Sequence, residues 1–405
     1  MTKLVPPVPI ASTAASAPRK VFADGLFTPA FVRLLWVQLL FGLSYSSFLL
    51  LPKFLRLELH ASATEIGRVM GAAPIAAALI APFIGTWTGR WSRVTILRLA
   101  LMSEALAAFG FAWSGDIGPH SFVFRVLQGA AWVSIFNVTA TMAADLVPEK
   151  CMAQAIGYLG TAMLATNAIA PGIAEPLAVK YGYSPVYFGA GVLVSLALFA
   201  VRGLTEGQKF ALPSQKEAAP ELRSMRVLSV HYGSFMLGVG IGTMFTYLQP
   251  FAIQLGTKVV GTFFFGYVGA AVFVRTVLAR LTDRIGPAKV AVLAFVLYAF
   301  TVGGTAWLRA DLLLLVGIGL GVSHGFGYPA LTATGFAAVR RELRGRFMSG
   351  YTFAFNAGYA FTSLFLGPWV DAHGFSAVFA ANGVLILSGA GALLLAHRRE
   401  VLALA

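Results

Sequence analysis

From residue 31 to residue 396 the chain is a succession of apolar runs of about 20 residues, and few folds accept such a chain. At about 1.5 Å of helix rise per residue, each run crosses a hydrocarbon core of about 30 Å. Inside that core every backbone N–H and C=O must be paired within the protein, which leaves helices or a closed barrel, and runs this long select helices. Twelve crossings are expected, at 31–51, 66–87, 94–113, 122–144, 152–175 and 186–201, then at 227–251, 259–278, 290–308, 312–334, 347–368 and 375–396. Composition agrees. Of 405 residues, 58% are hydrophobic and 11% charged, with a mean hydropathy of +0.78. A soluble domain carries about 25% charged residues. The fold class is an all-α membrane protein, and a large soluble domain is excluded.

A net charge of +14 raises the possibility of nucleic acid, but the basic residues lie in short turns and form no basic tail or amphipathic face. Of the 30 Lys and Arg, 23 fall on the side shared by both termini and six on the other, with Arg125 inside a helix. That excess places both ends in the cytosol and the chain, multi-pass, in the cell (inner or plasma) membrane, with the lipid bilayer rather than nucleic acid as its partner. Cys151 is the only cysteine, so neither an intrachain disulfide nor a Cys-based metal cluster is possible. The first 29 residues are rich in Pro, Ser and Ala, lack the apolar core of a signal peptide, and are expected to form a mobile cytosolic tail.

The chain is doubled. Thr88 and Arg90, in the turn after the second run, precede Thr282 and Arg284 by the same interval that separates Gly67 from Gly261. Pro52 and Pro250 close apolar runs at nearly that interval. The expected organisation is a tail at 1–29, a six-helix bundle at 30–202, a linker at 203–225, a second bundle at 226–397 and a tail at 398–405. Internal duplication in a membrane chain points to a transporter built from two repeats.

No phosphate-cradling Gly-x4-Gly-Lys-Ser/Thr loop is present, since no Gly is followed by Lys. Transport is therefore passive or coupled to an ion gradient. No cofactor and no metal are expected. Ionisable groups at membrane depth are costly and mark candidate sites. Arg125, Gln128, Trp132, Phe136 and Thr139 fall close to one helical face, suited to a water-filled cavity; alternatively Arg125 snorkels or pins a neighbouring helix. Glu104, mid-way along the third crossing, either picks up and releases a proton or stays a neutral, hydrogen-bonded acid. Glu175, beside Pro176 and Lys180, is expected at the interface, and Asp145 is expected to pair with Arg residues of nearby turns. His324 shares a face with Gly317, Gly321 and Tyr328 and is either a packing residue or a cavity residue. Gln38, Phe41, Tyr45 and Phe48 form a stripe on the first crossing, echoed by Gly240, Thr243 and Tyr247 on the seventh. Gly317, Gly319 and Gly321 read as a close-packing face. With few charges and many aromatics, the implied cargo is a small amphipathic or weakly polar molecule.

These features together resemble the major facilitator superfamily over nearly the whole chain after the tail. The family's turn after the second helix, Gly-x3-Asp-Arg-x-Gly-Arg-Arg/Lys, is matched by Gly85, Arg90 and Arg93, with Gly89 in place of Asp and Ser92 in place of Gly. The second copy keeps Asp283, Arg284, Gly286 and Lys289, with Ala279 for the first Gly. The resemblance implies that these turns act as cytosolic gates. Arg125-x-x-Gln128-Gly129 resembles the fourth-helix signature linked to proton transfer in proton-coupled members. Gly157 and Pro171 match the fifth-helix pattern of antiporters, whereas Thr166, Ala170, Ala174 and Glu175 depart from it. Glu342-x-Arg344-Gly345 looks like the family's turn before the eleventh helix. The family's fold would pair two pseudo-symmetric six-helix bundles around a cavity lined by crossings one, four, seven and ten. The function expected is proton-coupled efflux of a drug or metabolite by a monomer, with protons as coupling ion. The alternatives are proton-coupled uptake of a sugar or organic acid and, more remotely, a membrane-embedded enzyme or a sensor. The scattered histidines argue against the enzyme and the missing output domain against the sensor.

Overall fold

The computed structural model describes residues 26–148, 151–204, 220–257, 259–398 and 401. Most of the expected N-terminal tail, the linker core at 205–219 and most of the short C-terminal tail lie outside them. The described residues are helical and pass back and forth. The first half holds α1 (Pro29–Ser47), α2 (Leu51–Leu57), α3 (Ala63–Arg90), α4 (Arg93–Ala112), α5 (Pro119–Leu146), α6 (Met152–Tyr181) and α7 (Tyr183–Val201). The second holds α8 (Met225–Gln254), α9 (Gly261–Val277), α10 (Ala279–Ile285), α11 (Pro287–Gly304), α12 (Leu313–Ala337) and α13 (Arg344–Ala396).

Among the described residues, ten helical stretches are long and apolar enough to span, and α9 is a shorter apolar helix. At 53 residues α13 would run about 80 Å, far more than one crossing needs. It breaks at Gly374, whose φ of 81° suits glycine, and so supplies the eleventh and twelfth crossings. Two expected ends differ. Pro52 does not close the first run but opens α2 after a single 3-10 turn, carrying the crossing to Leu57; a proline in the first helical turn loses no intrahelical bond. Pro250 lies inside α8, which continues to Gln254.

The face at which α1 begins is here the near face, and its opposite the far face. Within the first half α4 packs on α5 and α7, and α1 on α6 and α7; within the second, α8 packs on α13 and α9 on α12. The halves meet along α3 and α13, α6 and α9, and α2 and α8. Hydrogen bonds between described residues of the two halves cluster toward the far face, in a reciprocal pair of clasps. Glu175 of α6 accepts from the backbone N–H of Val260 (2.8 Å) and Gly261 (2.7 Å) at the start of α9. Asp371 of α13 accepts from Ala63 and Thr64 N–H (3.0 Å each) and from the Thr64 hydroxyl at the start of α3. Each carboxylate satisfies the unpaired first N–H groups of a helix in the other half and meets the positive end of its dipole.

Glu175 is thus buried and not interfacial as expected. α6 runs on through Pro176 to Tyr181, which draws the carboxylate inside the bundle, where Lys53 also donates to it at 2.5 Å. Gln249 adds a bond to the Leu49 carbonyl. Both repeated glycines sit at these seams: a Cβ on Gly67 would lie 2.1 Å from the Ser363 carbonyl oxygen, and one on Gly261 2.9 Å from Glu175.

Candidate functional site

The first-half polar cluster is built on α1, α4 and α5. Glycine places it: a Cβ at Gly129 would sit 2.0 Å from the Ala73 carbonyl oxygen, so only glycine lets α5 lie on α3 and fixes the rotation of its polar face. One turn before it, Arg125 donates to Gln128 Oε1 at 2.7 Å, an i,i+3 contact along the helix. Gln128 Nε2 in turn donates to Glu104 Oε1 on α4 at 3.2 Å, and the Ser44 hydroxyl of α1 approaches the same oxygen at 3.5 Å. Arg125, Gln128 and Glu104 are all buried, while Glu104 Oε2 and Arg125 Nε have no hydrogen-bond partner. The amide thus joins a cation to a carboxylate that does not touch it directly.

The other expected first-half residues surround this chain. Gln38 is buried and accepts from the Thr139 hydroxyl at 3.0 Å, tying α1 to α5. Trp132 stacks on Phe136 with ring centres 5.6 Å apart, and Tyr45 packs on Phe41. The half-buried Tyr45 lies within electrostatic reach of Arg125, of Glu104 and of Tyr359 on α13, also half-buried. Tyr359 and Arg125 are likewise within reach of each other, so the two halves face one another at this level. Tyr359 was not anticipated, because its helix gives no periodic polar signal.

The second half is arranged differently. His324 of α12 meets the Tyr267 hydroxyl of α9 through Nδ1 at 3.1 Å, and its ring contacts Tyr328, which meets Tyr351 edge-on. Tyr247 stands elsewhere. It is fully buried, with its hydroxyl donating to the Ser363 carbonyl at 2.8 Å in the seam of α3, α8 and α13. The stripe it was grouped with serves packing: a Cβ on Gly240 would meet the Tyr298 ring, and Thr243 accepts from Asn382. From Met236 to Ala252 every residue of α8 is buried, so this stretch of the seventh crossing presents no cavity face. Gly317 and Gly321 pack on the α9 backbone, whereas Gly319 meets Thr301 of α11.

At the near face, Gly85 falls within α3 and Arg90 ends it, exposed. Arg93 opens α4, is buried and pairs with Asp145, as expected of that aspartate. In the second copy Gly286, at φ 96°, turns the chain from α10 into α11, and exposed Arg284 borders a cavity of about 260 Å³ with Arg280, Val277, Leu278 and Leu281. The Asp283 side chain lies outside the described residues. Gly157 of α6 is exposed, and Pro171 is buried in the part of α6 that faces α9.

Doubled helical bundles, a polar chain at membrane depth and a seam closed toward one face define a membrane transporter. The profile of the Major Facilitator Superfamily matches residues 34–349 and 259–403, and the chain belongs to that family. It is therefore a secondary transporter and not an enzyme. Among its relatives, the multidrug resistance protein MdtG of Enterobacter lignolyticus (strain SCF1) is 25% identical over 331 residues, covering 77% of this chain and 78% of the relative. Multidrug resistance protein 1 of Bacillus subtilis (strain 168) is 26% identical over 152 residues, 38% of this chain and 39% of the relative. Among solved structures, the nucleoside transporter NupG superposes with a TM-score of 0.74 at 12% identity, over 91% of this chain and 99% of that one. The D-xylose-proton symporter does so at 0.71 and 15%, over 90% and 96%. At such identities the likeness to these two concerns the fold.

Proposed function

We propose that the chain exports small amphipathic organic molecules in exchange for protons, by alternating access, as a monomer in the cell membrane with both termini in the cytosol. The observation that carries this reading is the buried chain Arg125–Gln128–Glu104, with one carboxylate oxygen held and the other without a partner. A proton added to Glu104 cancels its charge and weakens the pull on the Gln128 amide, which alters the hold on Arg125. Protonation thereby changes the relative stability of two arrangements of the bundle, which is what coupling requires. The names of the relatives in Bacillus and Enterobacter support a drug or metabolite as the cargo. In this reading the near face is cytosolic and the far-side clasps hold an inward-facing form. The units that rock are 30–202 and 226–397, and the turns at Gly85–Arg93 and Asp283–Gly286 serve as cytosolic gates.

Purified protein in liposomes tests it. A pH gradient is expected to drive accumulation of a small amphipathic aromatic solute against its own gradient, in the direction opposite to proton flow. Glu104→Gln is expected to abolish the pH dependence and leave passive exchange. Co-directional movement of proton and solute would replace export by uptake, and full gradient-driven flux in Glu104→Gln would reject the site.

A further inference from the structure

The second-half cluster holds three buried polar atoms without a hydrogen-bond partner, Nε of Arg275, Nε2 of His324 and the Tyr351 hydroxyl. Register places them together. Gly317, Gly321 and Gly325 recur every four residues along α12, and a Cβ on each would strike Phe263 and Tyr267, then Tyr267 and Ala271, then Ala271 and Val274 of α9. The two helices therefore run parallel in close contact, and one turn further toward the near face Tyr328 of α12 comes level with Arg275 of α9. The Arg275 charge reaches Tyr267, His324, Tyr328 and Tyr351. Its Nε is buried without a partner, and so is Nε2 of His324. Assigning the Tyr267 hydroxyl as the donor to Nδ1 puts the ring proton on Nε2, and in that tautomer both orphan nitrogens are donors. Among the described residues of the second half no acidic side chain is buried. The half-buried Tyr328, edge-on to Tyr351, adds an aromatic wall beside them.

We propose that Arg275 and His324, walled by Tyr328 and Tyr351, form a subsite that takes the anionic oxygen group of an amphipathic aromatic solute, such as a carboxylate or phenolate. A guanidinium and an imidazole N–H within electrostatic reach of each other can both donate to an oxygen anion, and the tyrosine rings suit the apolar body that carries it. The subsite deepens the transporter reading by naming the solute's chemistry in the second half, while proton coupling remains with Glu104 in the first. It also moves the expected cargo from weakly polar toward amphipathic acids.

Equilibrium binding of naphthoate and of its neutral counterpart naphthamide to the purified protein in nanodiscs of zwitterionic lipid tests it. Wild type is expected to bind naphthoate more tightly than naphthamide. Arg275→Gln should weaken naphthoate by about tenfold or more, the loss of one charged hydrogen bond, and change naphthamide by less than about twofold. Arg275→Lys should recover most of the loss, and Tyr267→Phe, which frees the His324 tautomer, should weaken naphthoate selectively. Naphthamide binding reports that each variant still binds the uncharged aromatic body. No preference for naphthoate in wild type, or equal weakening of both probes in Arg275→Gln and Tyr267→Phe, overturns the subsite. Neither probe's binding requires a pH gradient, so failure of proton-driven export would leave this result standing, and the reverse.

Discussion

Gln128 carries no charge, yet Arg125 and Glu104 meet only through it. Gln128→Leu is expected to cut pH-driven flux per folded protein in liposomes to below about a tenth, because it strands two ionisable groups at once. A flux equal to wild type would show that the amide is dispensable. Gly129→Ala tests the scaffold. With the Ala73 carbonyl in the way, the added methyl should cost about 1–3 kcal/mol, read as a lower thermal midpoint in detergent. Part of this cluster was legible in the sequence. Arg125 and Gln128 stand one turn apart, so their contact follows from helix geometry, and an acid in mid-run stands out by its cost. What joined them was not legible, because the rotation of α4 against α5 depends on packing. Tyr247 shows the limit: its stripe resembles that of Tyr45, but α8 is enclosed by its neighbours and turns the hydroxyl into a seam.

Between elements, the seam rests on carboxylates that hold the starts of foreign helices. Glu175→Gln removes the carboxylate charge beside the buried Lys53 and weakens two charged hydrogen bonds to α9, with an expected loss of about 1–3 kcal/mol in resistance to thermal denaturation. The double variant Lys53→Met/Glu175→Gln should be the more stable of the two; if it is not, the pair is not the source of the effect. For the other clasp, Ser363→Cys in a Cys151→Ala background serves as the reporter, since Ser363 is fully buried in the seam. Adding Asp371→Asn should raise its modification by an impermeant thiol reagent severalfold. Unchanged modification would mean that the far face stays shut without that acid. Neither clasp was visible beforehand. Val260 lies 85 positions from Glu175, and the acceptors of a helix start are identified only when the halves are docked. The repeated glycines at 67 and 261 were visible, but as markers of duplication; their place at the two seams emerged from the packing.

At the scale of the whole molecule, the succession of apolar runs was enough for the helices and their order, since length and backbone pairing leave little choice. Orientation rests on the Lys and Arg count. Epitopes at residues 1 and 405 should both be cleaved by protease added to everted vesicles and protected in right-side-out ones; opposite protection of the two ends would refute an even number of crossings. The reciprocal clasps lead to one more expectation. Each half contributes one acid and receives one at a helix start, so the seam is nearly self-complementary, the geometry of an isologous contact between like subunits. A protein cut within 205–219 and expressed as two fragments should then reassociate without its covalent tether, and two copies of a single fragment have the complementary parts for an imperfect version of the same embrace.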